Sequence, residues 1–130
     1  MNEMLQQPKL LCFNLKEEAL QNLRCAAQEH GASVQVIAPA EFSQTIGALL
    51  GILPRTNTVC LTPFREPMLI MSSFDREKME AFLGTLKEKD VSIPYKAVVT
   101  PTNLLWQCDA LAAELKKEHE QFRRMQQKND

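Results

Sequence analysis

The sequence has few of the residues that catalytic and cofactor sites require. Its four glycines are scattered and do not cluster after an apolar run, which argues against the glycine-rich loops that bind dinucleotides or nucleoside triphosphates. The two histidines, His30 and His119, stand far apart and have no cysteine or carboxylate at metal-ligand spacing. No nucleophile can be paired with a base. We therefore expect no cofactor, no metal site and no enzymatic activity.

Long apolar runs and an excess of one charge are also absent. The longest apolar run, Ile46–Leu53, is far shorter than the ~20 residues that span a bilayer. Lysine and arginine total 15 against 16 aspartate and glutamate, a formal net charge of −1, whereas nucleic-acid-binding proteins carry a basic excess or stripe. We therefore expect a protein that binds neither nucleic acid nor a membrane.

The cysteines do not form a C-x-x-C motif. Cys12, Cys25, Cys60 and Cys108 are spread along the chain, and the polar N-terminal residues show no apolar stretch of signal-peptide length. Without an export signal, such cysteines predict buried, reduced thiols. The expected location is the cytoplasm.

Length and composition predict one globular domain over residues 1–130. The chain is 45% hydrophobic, enough for a real core. Four apolar runs of strand length alternate with four patterns of helical period. The runs are Lys9–Asn14, Ser33–Pro39, Pro67–Ser73 and Tyr95–Pro101, and the helical patterns are Leu15–His30, Glu41–Leu50, Asp75–Lys89 and Leu104–Met125.

The second half of the sequence repeats the pattern of the first. Asn14 aligns with Ser73, 59 positions later, and after three inserted residues Pro39 aligns with Pro101 at a separation of 62. The internal repeat covers residues 9–51 and 67–116. It predicts an α/β fold: a duplicated β-α-β-α unit whose four-stranded, mainly parallel sheet has the order 2-1-3-4, flanked by helices, with a long C-terminal helix. A ferredoxin-like α+β fold is the alternative.

Residues 52–66, between the two copies, contain two prolines and are followed by a third. They form either a linker or an extra edge strand centred on Thr58–Leu61, since proline is tolerated at sheet edges.

Polar turn residues follow the predicted strands. If the strands are parallel, their carboxyl ends share one edge of the sheet, where helix N-termini favour a small anion. The residues placed there are Asn14, Ser73, Thr102 and Asn103, with Arg76 as the cation. All except Arg76 are also ordinary caps and turn formers, and this purely structural role is the interpretation that we favour.

The last helix is longer than the strands it would cover. From Leu104 to Met125 it would extend about 33 Å, whereas strands of five or six residues span ~17–20 Å, so residues 117–130 should overhang the sheet. Phe122 and Met125 continue its apolar stripe beyond that point, and Trp106 lies off the stripe, either under a loop or in an interface. These three residues are the predicted interface, with a second copy of the chain or with another protein.

The stretches "EPMLIMSSFDREKMEAFL", "IPYKAVVTPTNLLW" and "AAELKKEHE" resemble an uncharacterised bacterial domain of unknown function over Glu66–His119. The resemblance includes the only tryptophan and implies no activity, cofactor or catalytic residue. We therefore hypothesise a small non-catalytic protein that acts through its C-terminal helix, as a homodimer or by docking a partner. The alternative is a regulatory domain that binds a small anionic ligand at the carboxyl ends of the strands.

Overall fold

The structure is a computed structural model that describes residues 7–128, with side-chain surroundings up to Gln126. In chain order its elements are β1 (Lys9–Phe13), α1 (Glu17–Glu29), β2 (Ser33–Val36), α2 (Ile46–Leu49), β3 (Met68–Ser72), α3 (Arg76–Glu88), β4 (Tyr95–Val98) and α4 (Cys108–Lys128). Short 3-10 turns, Pro39–Glu41 and Asn103–Leu105, precede α2 and α4.

The chain forms two compact units. The sheet unit comprises the chain up to Pro39 together with Arg65–Thr100, and it holds the four strands, α1 and α3. The helical unit comprises Ala40–Phe64 and the chain from Pro101 onwards, and it holds α2 and α4. Each unit therefore combines one segment from each half of the sequence.

The sheet has the order β2-β1-β3-β4. β1 pairs with β2 and β3 pairs with β4 in parallel, whereas the central pair β1–β3 is antiparallel. The α/β class, the strand order, the flanking helices and the long C-terminal helix are confirmed. The expectation of a mainly parallel sheet is wrong, since the sheet is mixed, and so is the ferredoxin-like alternative, in which β1 and β2 would not be neighbours.

The mixed sheet follows from what a crossover fixes. A strand–helix–strand unit returns the chain in the same direction, which makes each half parallel internally. The long connection between β2 and β3 contains no such constraint, so it leaves the relative direction of the halves free.

Apolar side chains on one face of the sheet pack against α1 and α3. In α1 the buried residues are Leu23, Ala26 and Ala27, which the 3.6-residue period places on one side of the helix. Phe82 and Leu86 do the same in α3. The inner strands are buried on both faces, since Leu10, Leu11, Cys12, Phe13, Met68, Leu69, Ile70 and Met71 have almost no exposed surface.

In the helical unit, the segments that lead into α2 and α4 run side by side. The amide of Ile46 donates to the carbonyl of Trp106 at 3.0 Å, and the amide of Cys108 donates to that of Gln44 at 3.0 Å. Thr45 and Gln107 form the antiparallel bridge between these bonds. A Cβ atom at Gly47 would lie 2.5 Å from Leu53 Cδ1 and 3.1 Å from the carbonyl oxygen of Leu104, so a larger residue here would force the Leu53 side chain to move.

This bridge explains why two helices start later than predicted. The patterns Glu41–Leu50 and Leu104–Met125 predicted helix throughout, but α2 covers only Ile46–Leu49 and α4 begins at Cys108. Thr45 and Trp106 have extended backbones, with ψ of 156° and 144°, because their segments pair with each other before the helices begin. Residues 52–66 contain neither helix nor strand.

The element bounds of the two halves correspond closely. Both β3 and α3 begin and end 59 positions after β1 and α1, and β4 begins and ends 62 positions after β2. The left-handed residues agree as well: Asn14 and Ser73 have φ of 61° and 64°, and Gly31 and Asp90 have φ of 66° and 59°.

Candidate functional site

The structure does not bring Asn14 and Ser73 together. Each follows the carboxyl end of its strand, but β1 and β3 are antiparallel, so the two residues lie at opposite ends of the sheet. Asn14 Nδ2 donates to the carbonyl of Glu66 at 3.1 Å, which ties the end of β1 to the residues before β3. Both residues have left-handed backbones, and their immediate role is to turn the chain from strand to helix.

Carboxylates already occupy the helix N-termini of the sheet unit. The Asp75 side chain accepts from the amide of Lys78 at 2.7 Å and caps α3, and Glu17 and Glu18 lie in the first turn of α1. Arg76, the predicted cation, forms an exposed ion pair with Glu80 at 3.3 Å. These negative charges oppose the partial positive charge that would attract an anion.

Thr102 and Asn103 belong to the helical unit. Thr102 is exposed and its side chain does not cap the following 3-10 turn, and Asn103 is the first residue of that turn. The turn has only three residues, so it has little aligned backbone dipole to offer an anion.

The predicted interface residues all expose apolar surface. Trp106 is 38% exposed, Phe122 63% and Met125 64%. Phe122 lies eleven residues after buried Leu111 and therefore only about 20° around the helix from it. From residue 116 to 126 every residue of α4 is exposed. The apolar stripe thus continues past the buried part of the helix.

Further apolar side chains are exposed in the helical unit. Val59 is 60% exposed and Leu61 88%, and Ile52 and Leu105 are exposed as well. Of the eight large apolar side chains that the described residues leave exposed, seven belong to this unit. Their exposure was not predicted, because the alternation around Thr58–Leu61 is also typical of an edge strand.

A buried glutamine supports the irregular segment that carries Val59 and Leu61. Gln44, only 5% exposed, donates from Nε2 to the carbonyl of Thr56 at 2.8 Å and accepts the amide of Thr56 at Oε1 at 3.1 Å. Phe64 stacks on Phe42 at a ring separation of 4.5 Å. Sequence reasoning missed Gln44, because a glutamine among turn formers carries no signal of burial.

Two of the four cysteine thiols are buried and have raised pKa values. Burial raises the pKa of the Cys12 thiol to about 12, against a smaller opposing effect of Arg24. Burial, aided by the charge of Asp109, raises the pKa of Cys108 to about 12 as well. All four cysteines are unpaired. Within residues 7–128, no three His, Cys, Asp or Glu side chains come together as a metal site would require.

A protein-family model matches part of the second half of the chain. Residues 67–122 match DUF3783, a domain of unknown function. The DUF3783 match confirms the resemblance stated for Glu66–His119, and it spans β3, α3, β4 and α4 as far as Phe122. No curated protein and no solved structure matches the chain.

Among the described residues, none of the helices combines the length and the apolar composition needed to span a bilayer.

Proposed function

We propose that this protein has no catalysis of its own and acts by self-association, as a homodimer formed through the exposed end of α4. The observation that supports this is the continuation of the apolar stripe to Phe122 and Met125, both about two-thirds exposed. A contiguous apolar surface beyond a protein's own core is typical of an interaction site. The concentration of exposed apolar side chains in the helical unit points to the same part of the chain.

A second copy of the chain is the partner that we favour. A twofold contact uses the same stripe on both chains, so one short helix end contributes twice the apolar surface. The end of α4 is also only about three turns long, and a helix of this length without a packing partner is marginal in water. Dimerisation would bury the side chains of Phe122 and Met125, which are about two-thirds exposed in the described chain.

Sedimentation velocity of three full-length proteins tests this proposal. Phe122→Glu/Met125→Glu adds two negative charges to the stripe, and Glu120→Lys changes the net charge by the same amount about 160° around the helix from Phe122. We expect the wild type and Glu120→Lys to be dimers, and the double variant to be a monomer that loses no more helical circular dichroism than the end of α4 contributes. A monomeric wild type at the highest soluble concentration, or a dimeric double variant, contradicts the proposal.

The regulatory alternative, a small anion at the carboxyl ends of the strands, has less support. Its residues in the sheet unit are divided between the two ends of the sheet, and carboxylates lie in the first turns of both helices there. We therefore place self-association first.

We also propose a cytoplasmic location. The four cysteines are unpaired, and Cys12 and Cys108 are buried, as expected of a protein that folds under reducing conditions. Ellman titration would support this if the freshly purified protein contains four thiols after unfolding, and a disulfide that persists in a reducing cytosol extract would oppose it.

The proposal includes an internal duplication of the β-α-β-α unit. The constant offsets of 59 and 62 positions and the paired left-handed residues support it. So does the reciprocal pair of hydrogen bonds in the helical unit, since Ile46 and Cys108 are 62 positions apart, as are Gln44 and Trp106. On this view a single ancestral unit already associated with its own copy.

A further inference from the structure

A cleft of about 350 Å³ opens in the sheet unit where α3 ends and the chain turns into β4. Its volume is within the range of small-molecule sites. It is lined by Leu83, Leu86, Lys87, Asp90, Val91, Ser92, Ile93 and Lys96.

The cleft lies at the one place in the sheet unit where the second half of the sequence has residues that the first half lacks. After α1 the amide of Ala32 donates to the carbonyl of Ala27 at 2.9 Å, and β2 begins at once. After α3 the amide of Val91 donates to Leu86 at 2.9 Å, but three more residues, 92–94, precede β4. Two of these, Ser92 and Ile93, line the cleft. The second half thus has a surface feature built by residues that the first half lacks.

The floor of the cleft is apolar and fixed. Leu86, Val91 and Ile93 are buried members of the sheet unit's core, and Leu83 packs against that core. Side chains anchored in this way keep their positions without a ligand, so an apolar group on them would displace water without reordering the protein.

The rim of the cleft carries charges of both signs. Lys87, Asp90 and Lys96 are polar lining residues, and all three are exposed. Lys96 Nζ donates to the carbonyl of Ile93 at 2.6 Å, which holds this ammonium at the rim and leaves two of its three donors available. Asp90 has a left-handed backbone, with φ of 59°, at the turn that ends α3.

We infer that this cleft binds a free α-amino acid with an apolar side chain. The ligand's carboxylate accepts from the ammonium groups of Lys96 and Lys87, its ammonium donates to the Asp90 carboxylate, and its side chain covers Leu83 and Leu86. A simple organic anion fits less well, since it would leave Asp90 unpaired beside it. A polar amino acid fits less well too, because the floor offers its side chain no hydrogen-bond partner. The inference does not depend on self-association through α4.

The test is an amide chemical-shift titration of the full-length protein with L-leucine. We expect saturable shifts centred on residues 83–96. N-acetylleucine lacks the ammonium and leucinamide lacks the carboxylate. The affinity of each should be at least about tenfold lower than that of leucine, the loss expected for one charge-assisted hydrogen bond. Serine and glutamate should give no saturable shifts there. Unsaturable shifts at the solubility limit of leucine, shifts centred elsewhere, or binding of either analogue as tightly as leucine would overturn the inference.

Two variants and a matched control locate the site. Asp90→Asn keeps a residue that tolerates the left-handed backbone and removes only the charge, whereas Glu88→Gln removes a neighbouring charge that is not part of the cleft. Ser92→Trp fills the cleft from an exposed position. We expect Asp90→Asn to weaken leucine binding about tenfold, Ser92→Trp to abolish it and Glu88→Gln to leave it unchanged. Unchanged binding in Asp90→Asn and Ser92→Trp, with native spectra, excludes this cleft as the site.

Discussion

At the scale of single residues, the side chain of Gln44 hydrogen-bonds to the backbone of an irregular segment. Its side-chain amide donates to and accepts from the backbone of Thr56, as a neighbouring strand would. Its own carbonyl accepts the amide of Cys108, at the start of α4. Through its buried side chain and its backbone carbonyl, this one residue therefore links the irregular segment to the start of α4 within the helical unit.

Replacing Gln44 by methionine should destabilise the protein by about 1–2 kcal/mol, since the volume is kept but two hydrogen bonds to Thr56 are lost. Urea unfolding measures this, and the Thr56 amide should exchange faster with solvent. Gln21→Met, at an exposed position of α1, is the control. An unchanged Thr56 exchange rate would show that the amide of Gln44 does not hold the segment.

The two buried thiols make stability depend on pH in the alkaline range. Their pKa rises from 9.0, the ordinary value of a cysteine thiol, to about 12 in the folded protein. Between these values the unfolded chain loses protons that the folded chain keeps. The stabilisation is therefore fully present below about pH 9 and is lost as the pH rises towards 12.

Urea unfolding between pH 8 and about 10.5, under reducing conditions, tests this expectation, with a slope that approaches ~1.4 kcal/mol per pH unit for each thiol. The comparison is with Cys12→Ala/Cys108→Ala, which isolates the contribution of the two thiols. That variant loses stability at every pH because of its cavities, but its slope should be shallower. Parallel slopes would mean that the thiols ionise equally in both states.

At the scale of elements, α1 and α3 differ at their first turn. Asp75 caps α3 through its side chain, whereas Lys16, the residue 59 positions earlier, stands at the same place before α1 and makes no side-chain cap. Both residues have extended backbones, with φ and ψ of −69° and 155° for Lys16 and of −76° and 173° for Asp75. The backbone at Lys16 therefore has the geometry of an N-cap, but lysine has no side-chain acceptor for the free amides of α1.

Lys16→Asp should raise the stability by about 1 kcal/mol, because it adds a cap and replaces a positive charge at the positive end of the helix. The reverse change, Asp75→Lys, should lower stability by a similar amount. Thermal unfolding of both variants and of the double exchange measures this. A destabilised Lys16→Asp protein would show that Glu17 and Glu18 repel the new carboxylate more than the cap contributes.

Element existence could be predicted from the sequence, and element starts only in part. The continuous apolar run of β1 and the 3.6-residue period in α1 are local properties, so their bounds were predicted within two residues. The starts of α2 and α4 are set by the bridge between Thr45 and Gln107, which are far apart in sequence. The sequence of each of the segments 42–45 and 104–107 predicts a helix when it is considered alone. In the structure the two segments pair with each other, which holds them extended or in turns.

At the scale of the whole molecule, the repeat predicted the strand order but not the strand directions. Each β-α-β segment fixes its own handedness, whereas the direction of β3 against β1 depends on the path of residues 37–67. The predicted ligand edge depended on that direction, which is why Asn14 and Ser73 lie apart. The predictions for Phe122 and Met125 depended only on the length and period of α4, and the exposure of these two residues could be predicted from these alone.

Self-association should make the thermal stability of the full chain depend on its concentration. Once the protein concentration is well above the dimer dissociation constant, each tenfold rise in concentration should stabilise the folded state by about 1.4 kcal/mol per mole of dimer.

A chain ended after Lys116 keeps the buried residues Cys108, Leu111 and Ala112 but loses Phe122 and Met125. Its melting temperature should not vary with concentration. At the lowest concentrations, where the full chain is monomeric, the two proteins should melt at similar temperatures. If both melting temperatures rise with concentration in parallel, the chain associates through another surface. Val59 and Leu61, which are exposed, would then be the first residues to substitute.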